Sequence, residues 1–381
     1  MNLELLNSLF FKVKTADLFG RYITNSDIEK SLEDLSKSKI SIKGYSVENR
    51  PIYSLKFGHG PIKILLWSQM HGNESTSTKA LLDCFNLFEI DNEISNAILN
   101  QCTLVVIPIL NPDGAELYTR LNANQVDLNR DAQDLSQPES KVLRSVYNDF
   151  KPDFCFNLHG QRTIFGAGEM GKVASLSFLS PSQDANRWLT PNRKVAMSII
   201  AVVNELLQKE IPNGVGRYDD GFNLNCVGDT FQNFGVPTLL YEAGHFHQDY
   251  KREEVRRLMF IAIIKGLHVI ATGVSEIAYE AYFQIPENTK CFYDIIIRNA
   301  KLSEAENDIM DIAIQYQESL IDGEIKFVPR VEKISILDMK FGHREINAKA
   351  GLVVTCENLE LKEGYENDFV MINNERISLK P

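Results

Sequence analysis

The chain has 381 residues, 44% of them hydrophobic and 24% charged, with a formal net charge of −11. That length can bury a large core without disulfides or a structural metal, as one large domain plus a smaller one. The acidic balance and the lack of a basic block argue against a nucleic-acid or anionic-membrane partner, and no apolar run reaches the ~20 residues of a membrane span.

Residues 1–40 read as helical and polar, with Asn25 or Ser26 as cap candidates for NSDIEKSLEDLSKS. The opening carries Glu4 before its apolar residues and no long apolar core, a poor match to a signal peptide, so cytoplasmic residence is expected. PIYSLKFGHG (51–60) alternates apolar and polar as a half-buried strand does. PIKILLWSQ follows the turn-like break Gly58-His59-Gly60-Pro61, and the two segments are expected to pair as a hairpin.

From there strands and helices alternate. The apolar run 62–67 precedes a helical pattern over 76–88, and CTLVVIPIL (102–110) is a second buried strand. A helix over 138–150, with Pro138 near its start, leads to a third strand over 152–160. A long amphipathic helix over 192–210, a fourth strand over 235–244 and a helix over 252–273 complete this part. Continuous apolar strands separated by helices indicate an α/β fold, with a mixed, largely parallel central sheet and helices on both faces. Beyond about residue 275 the runs CFYDIIIR, IKFVPRVEKISILDM, AGLVVTCE and DFVMINNERISL are short and β-like, with little helix except around 303–320. The expected division is 1–275 for the α/β part and 276–381 for a small β-rich C-terminal domain. Six scattered cysteines, Cys84, Cys102, Cys155, Cys226, Cys291 and Cys356, form no C-x-x-C pair and point to reduced thiols.

The polar residues collect at strand ends. His71 and Glu74 follow the first buried strand, Asn111-Pro112-Asp113-Gly114 the second, and His159 and Glu242 end the third and fourth. In an open parallel sheet such carboxyl ends open onto one crevice. Two imidazoles and a carboxylate suit Zn²⁺ and leave a fourth position for water. The His-x-x-Glu spacing lets both side chains share a face if the segment is helical, and Gly72 eases a tight turn. A carboxylate outside the ligand set, Glu242, then serves as general base on the water that the metal activates.

In this order the motifs resemble the zinc metallocarboxypeptidase family, the carboxypeptidase A-like peptidases, across residues 45–270. HGNE (71–74) fits the family's H-x-x-E pair and FNLHG (156–160) its third ligand, so the resemblance implies one zinc ion on His71, Glu74 and His159. NPDGAELYTR (111–120) fits the segment that ends in an oxyanion-stabilising arginine, here Arg120. VDLNRD (126–131) fits the pair that holds a substrate's terminal carboxylate, here Asn129 and Arg130. LYEAG (240–244) supplies the catalytic glutamate, Glu242, which takes a proton from water and delivers it to the leaving amine. Tyr218 is the candidate for the family's mobile tyrosine, and the pocket setting side-chain preference is expected near 222–229. The C-terminal 100 or so residues lie outside the resemblance.

The implied reaction is hydrolysis of a peptide amide next to a free carboxylate. The related aspartoacylase and succinylglutamate desuccinylase group shares HGNE and DLNR and acts on N-acyl amino acids. A peptidoglycan-fragment amidase and a non-catalytic zinc- or peptide-binding module are further alternatives. NPDG and EAG lean toward the peptidase branch. Plainer readings stand beside these. Arg130 could pair with Asp127 or Asp131, and Glu242 could belong to a structural ion pair. His245 and His247 could sit at the rim or on the surface, while His59, His268 and His343 read as structural. The hydroxyls of STSTKALLDCF are expected to cap a helix, and no G-x-S-x-G motif supports a serine nucleophile.

Overall fold

The computed structural model describes all residues except 34, 37, 38, 274–278 and 305–307. The chain opens with α1 (Leu3–Val13) and α2 (Asn25–Leu32), then β1 (Ile40–Tyr45), β2 (Pro51–Gly58), β3 (Ile62–Ser68), α3 (Thr76–Glu89), α4 (Glu93–Gln101) and β4 (Cys102–Ile107). Next come α5 (Pro112–Leu117), α6 (Pro138–Phe150), β5 (Phe154–Gly160), β6 (Phe165–Ala167), β7 (Leu176–Leu179), α7 (Pro191–Leu207), β8 (Val215–Arg217), α8 (Val227–Asn233), β9 (Thr238–Ala243) and α9 (Glu253–Thr272). The C-terminal region adds β10 (Asn288–Lys290), β11 (Phe292–Ala300), β12 (Met310–Ile321), β13 (Glu324–Ser335), β14 (Phe341–Asn347), β15 (Val353–Val354), β16 (Phe369–Ile372) and β17 (Glu375–Ser378).

Eight strands form one mixed sheet in the order β1-β2-β4-β3-β5-β9-β7-β8. Its centre, β4-β3-β5-β9, is parallel, while β1, β2 and β7 join antiparallel. Successive residues of β3 enter opposite cores. Ile64 and Leu66 pack with Phe85 of α3 and Leu258 of α9, and Leu65 and Trp67 with Val142 of α6 and Phe231 of α8. Each such side chain stabilises the fold by roughly 2 kcal/mol. Burial on both faces is why these strands read as unbroken apolar runs.

Three local expectations are corrected. Pro51–Gly58 and Ile62–Ser68 do not form a hairpin, because β4 lies between them and pairs with both. The break between them wraps the start of β4: a Cβ on Gly60 would fall 2.0 Å from Gln101 C, so only glycine fits. The residue preceding α2 is Thr24, whose N–H donates to Asp27 Oδ2 at 2.8 Å, half of a capping box. Asn25 instead fastens the helix to β2 through Pro51 O (2.8 Å). Residues 305–307 lie outside the described part, and the helix expected around 303–320 is replaced over 310–320 by β12. There Ile312, Ile314 and Tyr316 alternate into one core while Ala313 meets another, and this period of two decides the conformation.

The C-terminal strands form a four-stranded sheet, β13-β12-β11-β14, and a three-stranded sheet, β15-β16-β17. The expected boundary at 275/276 lies outside the described residues. β10 pairs with β6 of the preceding part, and Asp294 of β11 accepts hydrogen bonds from Tyr250 Oη (2.9 Å) and Tyr316 N (2.8 Å). All six cysteines are free, and no helix among the described residues is long and apolar enough to cross a membrane.

His245 and His343 meet at this junction with ring centroids 4.3 Å apart. His343 Nε2 donates to Thr163 O (2.8 Å), whereas both ring nitrogens of His245 are buried without a partner. Burial pushes the His245 imidazole far below its ordinary range and that of His343 to about 4. The unfolded chain takes up protons below about pH 6.5 that these rings refuse when folded, so stability is present above that pH and is lost as pH falls. Asp294, raised by burial to about 6, opposes part of the loss below that pH, because its carboxyl takes a proton more readily in the folded state. Between pH 7.5 and pH 5 each of these histidines that stays neutral should therefore take about 2 kcal/mol from the unfolding free energy, against the opposite contribution of the raised carboxyls Asp294, Asp229 and Glu242. His245→Phe, which breaks no hydrogen bond, should be at least as stable as the parent at pH 7.5 and lose less at pH 5. Urea titrations at the two pH values check this; an unchanged pH slope in the variant would count against it.

Candidate active site

Residues 71–74 form a turn rather than a helix, closed by Glu74 N donating to His71 O at 3.0 Å. The turn lies on the next strand-end loop with no space between them. A Cβ on Gly72 would sit 1.9 Å from Gly114 C. Asn111 holds the second loop in place: its Oδ1 caps α5 at Gly114 N (2.9 Å) and its Nδ2 donates to Met70 O (3.2 Å).

Glu74 becomes the centre of the site. Its Oε1 lies 2.9 Å from His71 Nδ1 and its Oε2 lies 3.0 Å from His159 Nδ1. Gly160 N also donates to Oε2 at 3.0 Å. One donor atom from each of His71, Glu74 and His159 lies within 4.8 Å of the others. Burial works against the charge on Glu74, but the two imidazoles more than offset it and hold its carboxyl well below the usual range. Burial pushes His159 down, toward the neutral form a ligand must have. Two imidazole nitrogens and a carboxylate oxygen on one side of an open cleft fit Zn²⁺ in chemistry and number.

The groups around the cluster orient it. Asp127 Oδ1 lies 3.0 Å from His71 Nε2, the arrangement that fixes a ligating ring's tautomer and direction. Asp127 Oδ2 accepts from Arg120 Nε (3.2 Å) and Nη2 (3.1 Å), and Arg120 Nη1 reaches Glu74 Oε1 at 3.4 Å. The hydroxyls at the start of α3 do not cap it. Ser77 Oγ donates to His159 O (3.1 Å), Ser75 Oγ to Arg21 O (2.5 Å), and Thr78 Oγ1 to Gln69 Oε1 (2.8 Å). They tie the helix to the strand ends that carry the site.

Glu242 stands in register with His159 on the neighbouring strand. Its Oε2 is buried with no hydrogen-bond partner, so the structural ion-pair reading finds no support among the described residues. Burial, then the charge of Glu74, raise its carboxyl well above the usual range. Asn129 Oδ1 accepts from Val227 N at 3.0 Å. Arg130 Nη1 donates to Asn129 O (2.7 Å) and lies 3.1 Å from Cys226 Sγ. Arg130 pairs with neither aspartate considered for it: Asp127 serves His71 and Arg120, and Asp131 accepts from Ser136 and Gln137.

All eight residues singled out from the sequence, His71, Glu74, Arg120, Asn129, Arg130, His159, Tyr218 and Glu242, line one cleft of about 740 Å³. Tyr218 follows β8, its N–H held by Phe178 O (3.0 Å) and its ring edge-on to Phe165 at 5.4 Å. His245 and His247 are outside the cleft lining. Sequence reasoning missed Asp127 as the partner of His71, although its place two residues before Asn129 was a usable signal. It also missed Ser77, and Gln317 and Glu318, which reach the cleft from β12.

Residues 28–166 match the family model described as zinc carboxypeptidase. The chain is 33% identical over 169 residues to carboxypeptidase SOL1 of Arabidopsis thaliana, covering 38% of this chain and 34% of that protein. It is 32% identical over 146 residues to carboxypeptidase E of Caenorhabditis elegans, covering 31% of each. The matched part thus spans about a third of the length of these relatives. The fold superposes on carboxypeptidase A of Helicoverpa armigera with a TM-score of 0.54 at 17% identity, over 71% of this chain and 80% of that one. It superposes on a metallo-carboxypeptidase from Pseudomonas aeruginosa in complex with (2-guanidinoethylmercapto)succinic acid with a TM-score of 0.53 at 19% identity, over 66% and 70% of the two chains. The resemblance read from the motifs is borne out, and the fold is that of the carboxypeptidases.

If Asp127 orients His71 for a metal, Asp127→Asn should weaken zinc binding about 10- to 100-fold with little change in thermal stability. Competition against a chromophoric chelator measures this, and an undiminished affinity would remove Asp127 from the site.

Proposed function

We propose that the protein is a zinc-dependent carboxypeptidase, hydrolysing the amide next to a peptide's free terminal carboxylate. The observation that carries this reading is the meeting, in one cleft, of the donors His71, Glu74 and His159, the buried carboxyl of Glu242, and Arg130, a cation without a carboxylate partner among the described residues. The small carboxylic ligand held by the P. aeruginosa relative of the same fold is in keeping with it.

A zinc ion held by His71, Glu74 and His159 would supply Lewis acidity toward the amide carbonyl and toward water. Arg130 offers a planar fork of N–H donors to the substrate carboxylate, and Asn129 beside it fixes the register. Glu242, whose Oε2 meets no hydrogen-bond partner, accepts the proton of the attacking water when ionised, its basicity strengthened by burial, and passes that proton to the leaving amine. Arg120, pinned along one edge by Asp127, faces the oxygen on which negative charge develops. Tyr218 keeps its proton, since burial opposes phenolate formation, and can donate it in a hydrogen bond to the peptide. The six free cysteines support a reducing, cytoplasmic setting.

Zinc-loaded protein should cleave free-acid peptides and refuse the same peptides with a C-terminal amide. N-acyl amino acids and muropeptides in the same panel would expose a different acyl preference. Equal rates on acid and amide would overturn the carboxypeptidase reading. Glu242→Gln should keep its zinc and lose kcat by about 10²–10⁴-fold; turnover at the parent rate would refute the assigned role. Arg130→Ala should lose kcat/KM on free-acid peptides while leaving zinc content unchanged.

A further inference from the structure

The cleft is not built by the α/β part alone. Tyr316, Gln317 and Glu318 of β12 line the same space as the metal donors and Arg130. β12 is an inner strand, bonded to β11 on one side and to β13 along nearly its whole length on the other, so it cannot swing as a loop does. Glu318 locks it to the rim: its Oε1 accepts from Arg21 (2.6 Å) and its Oε2 from Tyr118 Oη (2.6 Å). The buried Arg252, also in the cleft lining, donates to Ala243 O and Gln161 O, both at 2.9 Å, and so joins the start of α9 to the end of β9 and the residue after β5.

We propose that β12 walls off the acyl side of the cleft and makes this a peptidase of short peptides, with room for only one or two residues beyond the scissile amide. The proposal rests on the carboxypeptidase reading. With the terminal carboxylate at Asn129 and Arg130 and the amide at the metal donors, the lining left for the acyl side is shared by Tyr316, Gln317 and Glu318 of β12 with Arg21, Arg162 and Phe165. A cleft of about 740 Å³ is of the size that encloses a small ligand, whereas an extended hexapeptide is ~20 Å long. The family match ends at residue 166, so it assigns nothing to this strand.

The test is a ladder of free-acid di-, tri-, tetra- and hexapeptides sharing one C-terminal residue, assayed with zinc-loaded protein. The parent should show kcat/KM for the hexapeptide lower than for the tripeptide by about tenfold or more. Gln317 is exposed and lines the cleft, so Gln317→Trp should fold and depress the tripeptide-to-dipeptide ratio. Glu318→Ala, which frees the strand from Arg21 and Tyr118, should raise the hexapeptide-to-tripeptide ratio. Circular dichroism shows whether that variant folds, and Gln317→Trp stands without it. Cleavage of every length with equal kcat/KM, unmoved by Gln317→Trp, would overturn the proposal and leave the carboxypeptidase reading intact. Failure to cleave any free-acid peptide would defeat that reading and this proposal with it.

Discussion

A single carboxylate, Glu74, gathers groups from beyond the ends of two paired strands and from a loop that the sheet does not hold. It is largely withdrawn from solvent, so its charge is favoured when most of its lone pairs are used. Two imidazoles, the backbone N–H of Gly160 and the guanidinium of Arg120 use them. Those partners come from the ends of β3 and β5 and from the loop beyond α5. The neighbouring strand end of β9 carries a second buried carboxyl, Glu242, with no such company. Two glutamates a few residues from their strand ends thus hold opposite preferences: Glu74 stays ionised, while Glu242 favours its proton.

The central strands and the site residues were legible in the sequence because both report local facts. β3, β4, β5 and β9 are mostly apolar, since both faces are covered, and the residues singled out for the site fall at or beyond their carboxyl ends. The order of strands was less legible. The break at Gly58–Pro61 resembles a hairpin turn, and only the competing claim of β4 on both flanking strands shows that it is not. The segment that becomes β12 contains good helix formers, and its period of two emerges only once there are two cores to divide between. Asp127 was visible only as one of two alternative partners for Arg130, because sequence proximity favours that pairing while folding brings His71 and Arg120 to it.

The hydroxyls that open α3 show how a local rule yields to tertiary demand. Ser75, Ser77 and Thr78 have the composition of a capping segment. Each instead bonds to a backbone carbonyl distant in sequence, those of Arg21, His159 and Pro108. The helix start is thereby stitched to the strand ends, and the carbonyl of a proposed ligand is held from behind.

The missing side chain at Gly72 has a consequence for the energetics of ligand capture. The His71–Glu74 turn and the first turn of α5 touch backbone to backbone at Gly72 and Gly114, so neither can shift without the other. Their relative position is set by covalent geometry and by Asn111, not by adjustable rotamers. The conformational entropy of arranging the donors is therefore lost when the chain folds, not when an ion arrives. A site of this kind accepts only guests that match its spacing, and small changes in either loop would be felt as a change of metal preference before they were felt as a loss of fold.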